Sequence, residues 1–345
     1  MTGSLRFFLA LSVVFSHLSG ASYCKHIGYY SVGSFFILSS YAMTAALHER
    51  YRFDAKSFWL SRLLRLGPTY LSACLLTFLA VEIFPLQSAS FMPRWGFPAT
   101  FADIVQNLLV VPIIFFRANQ FIFIEPAWSL SIEIMMYGAL FLLLARGPAF
   151  AFYGFALGFY LHLAATLNDL PFDRIYFSVN GPIMSFSIGA LAYFWRRQSA
   201  LRIPPLAAVL VLGLWMINFF AEAALAAANY PARAGFYFNI FLTVPVVVAL
   251  SELKTGPALA RVDRLLGDLS YPIYLVQWLG GFAGYMLFAS PAMRGWELFF
   301  ASVAPILLIS GALSWLQGLV VEPLRSKIRE GATEARVGAV LQPAE

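Results

Sequence analysis

The chain has 345 residues, of which 60% are hydrophobic and only 12% charged, and its mean hydropathy is +0.75. A soluble domain carries about 25% charged residues, so this composition excludes a soluble enzyme; at about 20 apolar residues per crossing the length suits roughly ten membrane helices and no large soluble domain beside them. The net charge of +6 does not point to nucleic acid, because in a membrane protein excess Lys and Arg marks cytoplasmic loops.

The first expected span runs from about Leu5 to Tyr23 and reads LRFFLALSVVFSHLSG near its start. Arg6 and His17 are its ionisable groups. At about 1.5 Å and 100° per residue, the step between them covers roughly 16 Å and leaves about 20° of rotation, so both face one way. Arg6 is expected near a membrane surface and His17 near mid-bilayer. A group that deep is costly and faces a bundle interior or a wet cavity. It serves chemistry there, or it is an imidazole satisfied by a neighbouring hydroxyl. No convincing cleavage site follows, so the segment is read as a retained span.

Span two covers about Tyr29 to Leu47. The most basic stretch follows, with Arg50, Arg52, Lys56, Arg62 and Arg65 among Phe53, Phe58, Trp59 and Leu63, a pattern suited to a helix lying on the bilayer surface. Span three is expected after Pro68, ending near Phe84. Asp103 to Phe116 is apolar but short and contains Pro112, which suits a re-entrant or interfacial segment. Further spans are expected at about Trp128–Leu144, Ala149–Ala165, Pro182–Trp195, Pro205–Ala221, Phe236–Leu250, Ser270–Phe288 and Glu297–Val320. Residues 1–325 form one transmembrane domain, and 326–345 a polar cytoplasmic tail. Cys24 and Cys74 show neither metal spacing nor a disulfide framework and are read as core residues.

With the N-terminus inside, most of the 23 Lys and Arg residues fall on the cytoplasmic side. Lys25, Arg94, Arg117, Arg174, Arg233 and Arg294 fall on the other. This bias predicts cytoplasmic N- and C-termini.

Arg62 and Arg65 lie three apart on one helical face. They suit a bidentate grip on phosphates or an anchor on anionic lipid. Glu133 lies inside an apolar segment, where a carboxylate is expensive and usually partnered. It pairs with an Arg, orients His17, or bonds two helices together; Tyr137 lines the same cavity or simply packs. Ser39 and Ser40 suit close helix approach. His26, His48 and His162 lie near span ends and read as interfacial.

Several of these stretches together resemble the acyltransferase-3 family of multi-spanning membrane acyltransferases. LRFFLALSVVFSH matches the family's Arg, ten residues, His signature through Arg6 and His17. GSFFILSS, the R-x-x-R element in SRLLRLGPTY, WSLSIEIMMYG with Glu133, LGDLSYPIYLVQ and VVEPLR follow in order. Ser40 stands where the family often has Gly, and Gln277 where it often has His. The second departure removes an ionisable partner near one membrane face.

The resemblance implies an all-α polytopic protein that moves an acyl group, usually acetyl, from acyl-coenzyme A on the cytoplasmic side to a sugar hydroxyl. The acceptor would be a surface glycan, a lipid-linked sugar or a small glycoside. His17 would act as general base, Arg62 and Arg65 would hold the coenzyme's phosphates, and Arg6 would line the donor channel or stabilise charge near the thioester. Glu133 would orient the base or the acceptor. No metal or nucleic acid is implied, and the location would be a bacterial inner membrane. The competing class is a transporter or flippase of a glycan or solute, against which the absence of matching halves counts.

Overall fold

The computed structural model describes residues 1–20, 25–96, 98, 100–115, 121–199, 203–225, 232–288 and 295–327. Among the described residues the protein is helical, with no strand. The helices are α1 (Thr2–Leu18), α2 (Lys25–Ala46), α3 (Ala55–Ile83), α4 (Pro85–Phe91), α5 (Phe101–Leu109), α6 (Ala127–Ala139), α7 (Pro148–Leu167), α8 (Phe172–Tyr176), α9 (Ile183–Gln198), α10 (Pro205–Leu225), α11 (Ala232–Glu252), α12 (Pro257–Phe288) and α13 (Trp296–Val320). Short π-helical turns extend α2 through Leu47–Tyr51 and α6 through Leu140–Leu144.

Every segment expected to cross the membrane falls on one of these helices. Six of the described helices are long and apolar enough to cross by length and composition. The protein is therefore an all-α polytopic membrane protein. Cys74 is buried on α3, while Cys24 and residues 328–345 of the expected tail lie outside the described residues.

Two local features differ from the sequence reading. The first span stops at Leu18 rather than Tyr23, because Gly20 takes a left-handed conformation at φ 68°, the usual glycine device for ending a helix. His17 therefore stands in the last turn of α1. From Ala55 onward the basic stretch and the third span form one helix running through Pro68, while Arg50 belongs to the turn that extends α2. Proline deprives the preceding turn of a donor. Gln317 of α13 donates to the Arg65 carbonyl at 2.9 Å and accepts from Thr69 Oγ1 at 2.7 Å, while Tyr271 Oη donates to the Leu66 carbonyl at 3.0 Å. Neighbouring helices thus supply polar groups at that turn. The short segment expected at Asp103 is α5, capped by Thr100 and Asp103 and followed by a 3₁₀ turn at Val111–Ile114.

α1 is the central element, packed between α2 and α12 and touching α11 and α13. Close approach relies on small residues, since lipid offers no hydrophobic drive for helix association. A Cβ on Gly280 of α12 would lie 2.3 Å from Ile306 Cγ1 of α13. One on Gly189 of α9 would lie 2.4 Å from the Ile37 carbonyl and 2.7 Å from Ser40 Cβ. Ser40 is thus a close-packing residue and also donates to the Phe186 carbonyl. A polar seam joins α2, α10 and α11: Ser34 meets Thr243 at 2.9 Å, and Trp215 Nε1 donates to Thr243 at 2.9 Å.

Candidate active site

Three cavities follow one another along α1 and α2, and neighbouring cavities share wall residues. The first, of about 550 Å³, is lined by Arg6, Glu49, Arg50, Arg62, Arg65 and Arg325. Arg6, Met43, Arg62 and Arg65 also line the second, a neck of about 100 Å³ between Ser39, Glu133, Tyr137, Tyr271 and Tyr274. Val32 and Tyr274 carry its wall into the third, a chamber of about 350 Å³ that holds His17. Helical spacing explains the arrangement. Val32, Ser39 and Met43 share one face of α2, and Arg6, Val13 and His17 share one face of α1.

At the basic end, Arg62 is only 5% exposed. Its guanidinium contacts Met43 Sδ at 3.2 Å and donates to the Tyr51 and Ser61 hydroxyls at 3.3 Å, while Nε has no hydrogen-bond partner. Among the described residues no carboxylate pairs with Arg6, Arg62 or Arg65. Unpaired buried charge is costly, and several guanidinium groups around one cavity create a strong site for a polyanion. Arg50, read from the sequence only as part of the basic stretch, and Arg325 also line that mouth. Arg325 is brought there by the turn after α13, where Glu322 accepts from its Nη1 at 2.5 Å.

In the neck, Glu133 Oε1 accepts from Ser39 Oγ and from Tyr137 Oη, each at 2.5 Å, and the two hydroxyls lie 3.0 Å apart. Glu133 and Tyr137 stand four apart on α6, one above the other. This carboxylate bonds α6 to α2, and His17 is held by a different residue. Tyr274 Oη lies 2.6 Å from Ser129 Oγ, closing the wall between neck and chamber.

In the chamber, His17 Nδ1 lies 2.8 Å from Gln277 Oε1. The imidazole stacks on Trp278 with centroids 5.5 Å apart and planes inclined by 20°. Tyr29, Trp128, Tyr176 and Phe177 add aromatic wall, and Glu125 lies at its edge, ion-paired with Arg94 at 2.8 Å. His26 packs beside the chamber-wall Tyr29, ring centroids 6.2 Å apart, while His48 and His162 lie elsewhere. His48 Nε2 meets the Ala145 carbonyl at 2.7 Å. His162 is buried, between Tyr237 Oη and the Gly181 carbonyl, each 2.9 Å away. It is a core bridge rather than an interfacial residue.

Sequence reasoning missed that Gln277 touches His17. The available signal was the placement of Gln277 amid apolar residues of a late span, where an amide needs a partner.

No curated protein and no solved structure gives a significant match to this chain. A family model described as an acyltransferase domain, that of the acyltransferase-3 family, matches residues 4–315. That match includes α1 through most of α13 and every wall residue named above except Arg325. With an imidazole at one end of the cavity series and a cluster of arginines at the other, the chain belongs to the acyltransferase-3 family and is a membrane acyltransferase.

Proposed function

We propose that this acyltransferase takes its acyl group, acetyl in the first instance, from an acyl-coenzyme A and passes it to a hydroxyl of a carbohydrate acceptor. The observation that carries the reading is the placement of Arg6, Arg62 and Arg65, without carboxylate partners among the described residues, at one end of a cavity series whose other end holds His17. Guanidinium groups suit the phosphates of the coenzyme. A narrow neck of about 100 Å³ favours a short acyl group. The aromatic walls of the chamber suit the apolar faces of a sugar ring, whether in a surface glycan, a lipid-linked sugar or a small glycoside.

In this mechanism the acceptor hydroxyl attacks the thioester carbonyl while His17 takes its proton. The tetrahedral intermediate collapses, the carbon–sulfur bond breaks, and the imidazolium returns the proton to the departing thiolate. Holding both reactants against one base supplies much of the advantage over solution. Arg6 belongs with the phosphate grip in this scheme. Glu133 holds the neck through Ser39 and Tyr137.

The same reading puts the arginine end in the cytoplasm of a bacterial inner membrane. Arg6 near the start of α1 and Arg325 after α13 line one cavity, which supports an even number of crossings between them, as ten would be. Coenzyme A release from acetyl-coenzyme A by the purified protein, with and without candidate glycans, tests the proposal. Glycan-stimulated release that is lost in His17→Ala supports it. No release together with no binding of acetyl-coenzyme A refutes the donor assignment, and donor-free solute uptake into proteoliposomes would support a transporter instead.

A further inference from the structure

Gln277 has no exposed surface, and its amide is oriented at both ends. Nε2 donates to the Tyr274 carbonyl at 2.8 Å, three residues earlier on α12, and Oε1 lies 2.8 Å from His17 Nδ1. An amide nitrogen only donates and its carbonyl oxygen only accepts. With Nε2 committed to a carbonyl, Oε1 is the atom that faces the imidazole, and Nδ1 must carry the ring proton. The basic nitrogen of His17 is then Nε2. Stacking on Trp278 fixes the plane of the ring.

We infer that Gln277 is a positioning residue that holds His17 in its Nδ1–H tautomer, so that Nε2 is the nitrogen that takes the acceptor's proton. This rests on the reading of His17 as general base. The device is a neutral version of the carboxylate–histidine pair, of the kind in which an amide orients the base. Its neutrality has a physical consequence. A carboxylate in this position would be buried and would need its desolvation offset, and it would stabilise the imidazolium and raise the pH at which His17 becomes a base. An amide fixes the tautomer without adding that charge. The titratable groups that share the chamber walls are Glu125, Tyr29, Tyr176 and Tyr274. Glu125 is paired with Arg94, and Tyr29 Oη donates to Asp173 at 2.9 Å.

The test compares the full-length protein with Gln277→Leu, Gln277→Glu and His17→Ala in detergent. Acetyl-coenzyme A is the donor, and ¹⁵N-histidine spectra are assigned with the His17 variant. Gln277→Leu is expected to lower kcat about 100-fold, with KM for the donor within about twofold and a His17 signal moved toward the Nε2–H tautomer. Gln277→Glu is expected to keep the Nδ1–H signal and move the acidic limb of the kcat profile to higher pH. It decides the matter if the Leu variant fails to fold. Parental kcat in Gln277→Leu, or an unshifted limb in Gln277→Glu, where His17→Ala is inactive, would overturn the part given to Gln277 alone. Full activity in His17→Ala would instead overturn the reading of His17 as base.

Discussion

Asp263 of α12 clamps the start of α1: its Oδ1 accepts from the Ser4 amide at 2.7 Å and from the Ser4 hydroxyl at 2.8 Å, and its Oδ2 from the Gly3 amide at 3.2 Å. A carboxylate at a helix N-terminus satisfies donors that the helix itself leaves open and complements its dipole. Asp263 precedes the apolar part of α12 and lies outside the span. Burial alone would push its carboxyl up, but the hydrogen bonds from Ser4 and Gly3 outweigh this and hold it below its usual value of 3.8.

A folded-state pKa below the unfolded one means stability that is present above about pH 4 and lost as the pH falls through the lowered folded value. Asp263→Ala is expected to cost about 1 kcal/mol, as loss of a helix cap does. The difference from the parent should shrink below pH 4. Thermal melts in detergent at neutral and acid pH check this; a constant difference would assign the effect to packing.

His17→Ala should reduce transfer by a factor of about 10² to 10⁴, the contribution of a positioned general base, while leaving the melting temperature near the parent's. Steady-state rates and a melt on the same preparation measure both. Equal loss of fold and rate would leave no case for base catalysis.

Arg62 is a buried cation whose described partners are Tyr51, Ser61 and the Met43 sulfur. Removing a hydrogen-bonding charge from a bound anion costs about 1.5–3 kcal/mol, so Arg62→Met should weaken acetyl-coenzyme A binding roughly 10- to 100-fold. Without donor, the same variant should melt no lower than the parent, because a buried unpaired charge is itself costly. Calorimetric titration with a donor-free melt beside it separates a ligand-binding role from a structural one.

Glu133 accepts two hydroxyls with one oxygen. Glu133→Leu leaves Ser39 and Tyr137 without that acceptor and should cost about 1–3 kcal/mol. Glu133→Gln retains a carbonyl oxygen there and should melt close to the parent. Melting temperatures of the two variants make the comparison.

Gly158 of α7 meets α9 so closely that a Cβ would lie 2.5 Å from the Met184 amide nitrogen. That neighbour is backbone and cannot rotate away. Gly158→Ala should therefore destabilise by about 1–3 kcal/mol without changing donor affinity per folded molecule, which a melt and a titration together would show.

The positions of the helices were legible in the sequence, because a membrane span is a matter of length and apolar content, both local. So was the common face of Arg6 and His17, because helical periodicity is fixed by the backbone. The separated elements that carry the family resemblance, from Arg6 through Arg62 and Arg65 to Glu133, are also properties of order and spacing. Gly20 signalled the early end of α1, but the apolar residues around it masked that signal. Pro68 read as a boundary because a proline in water usually is one; inside the bundle, Gln317 and Tyr271 supply polar groups at that turn.

Only the tertiary structure decided which groups meet. It assigned Glu133 to Ser39 and Tyr137, gave His17 to Gln277, and brought Arg50 and Arg325 to the arginine mouth. Those pairings depend on the depth and rotation at which α1, α2, α6 and α12 pack against one another. The sequence determined which face each helix buries; the register between faces, set by small residues that let backbones approach, determined the chemistry those faces enclose.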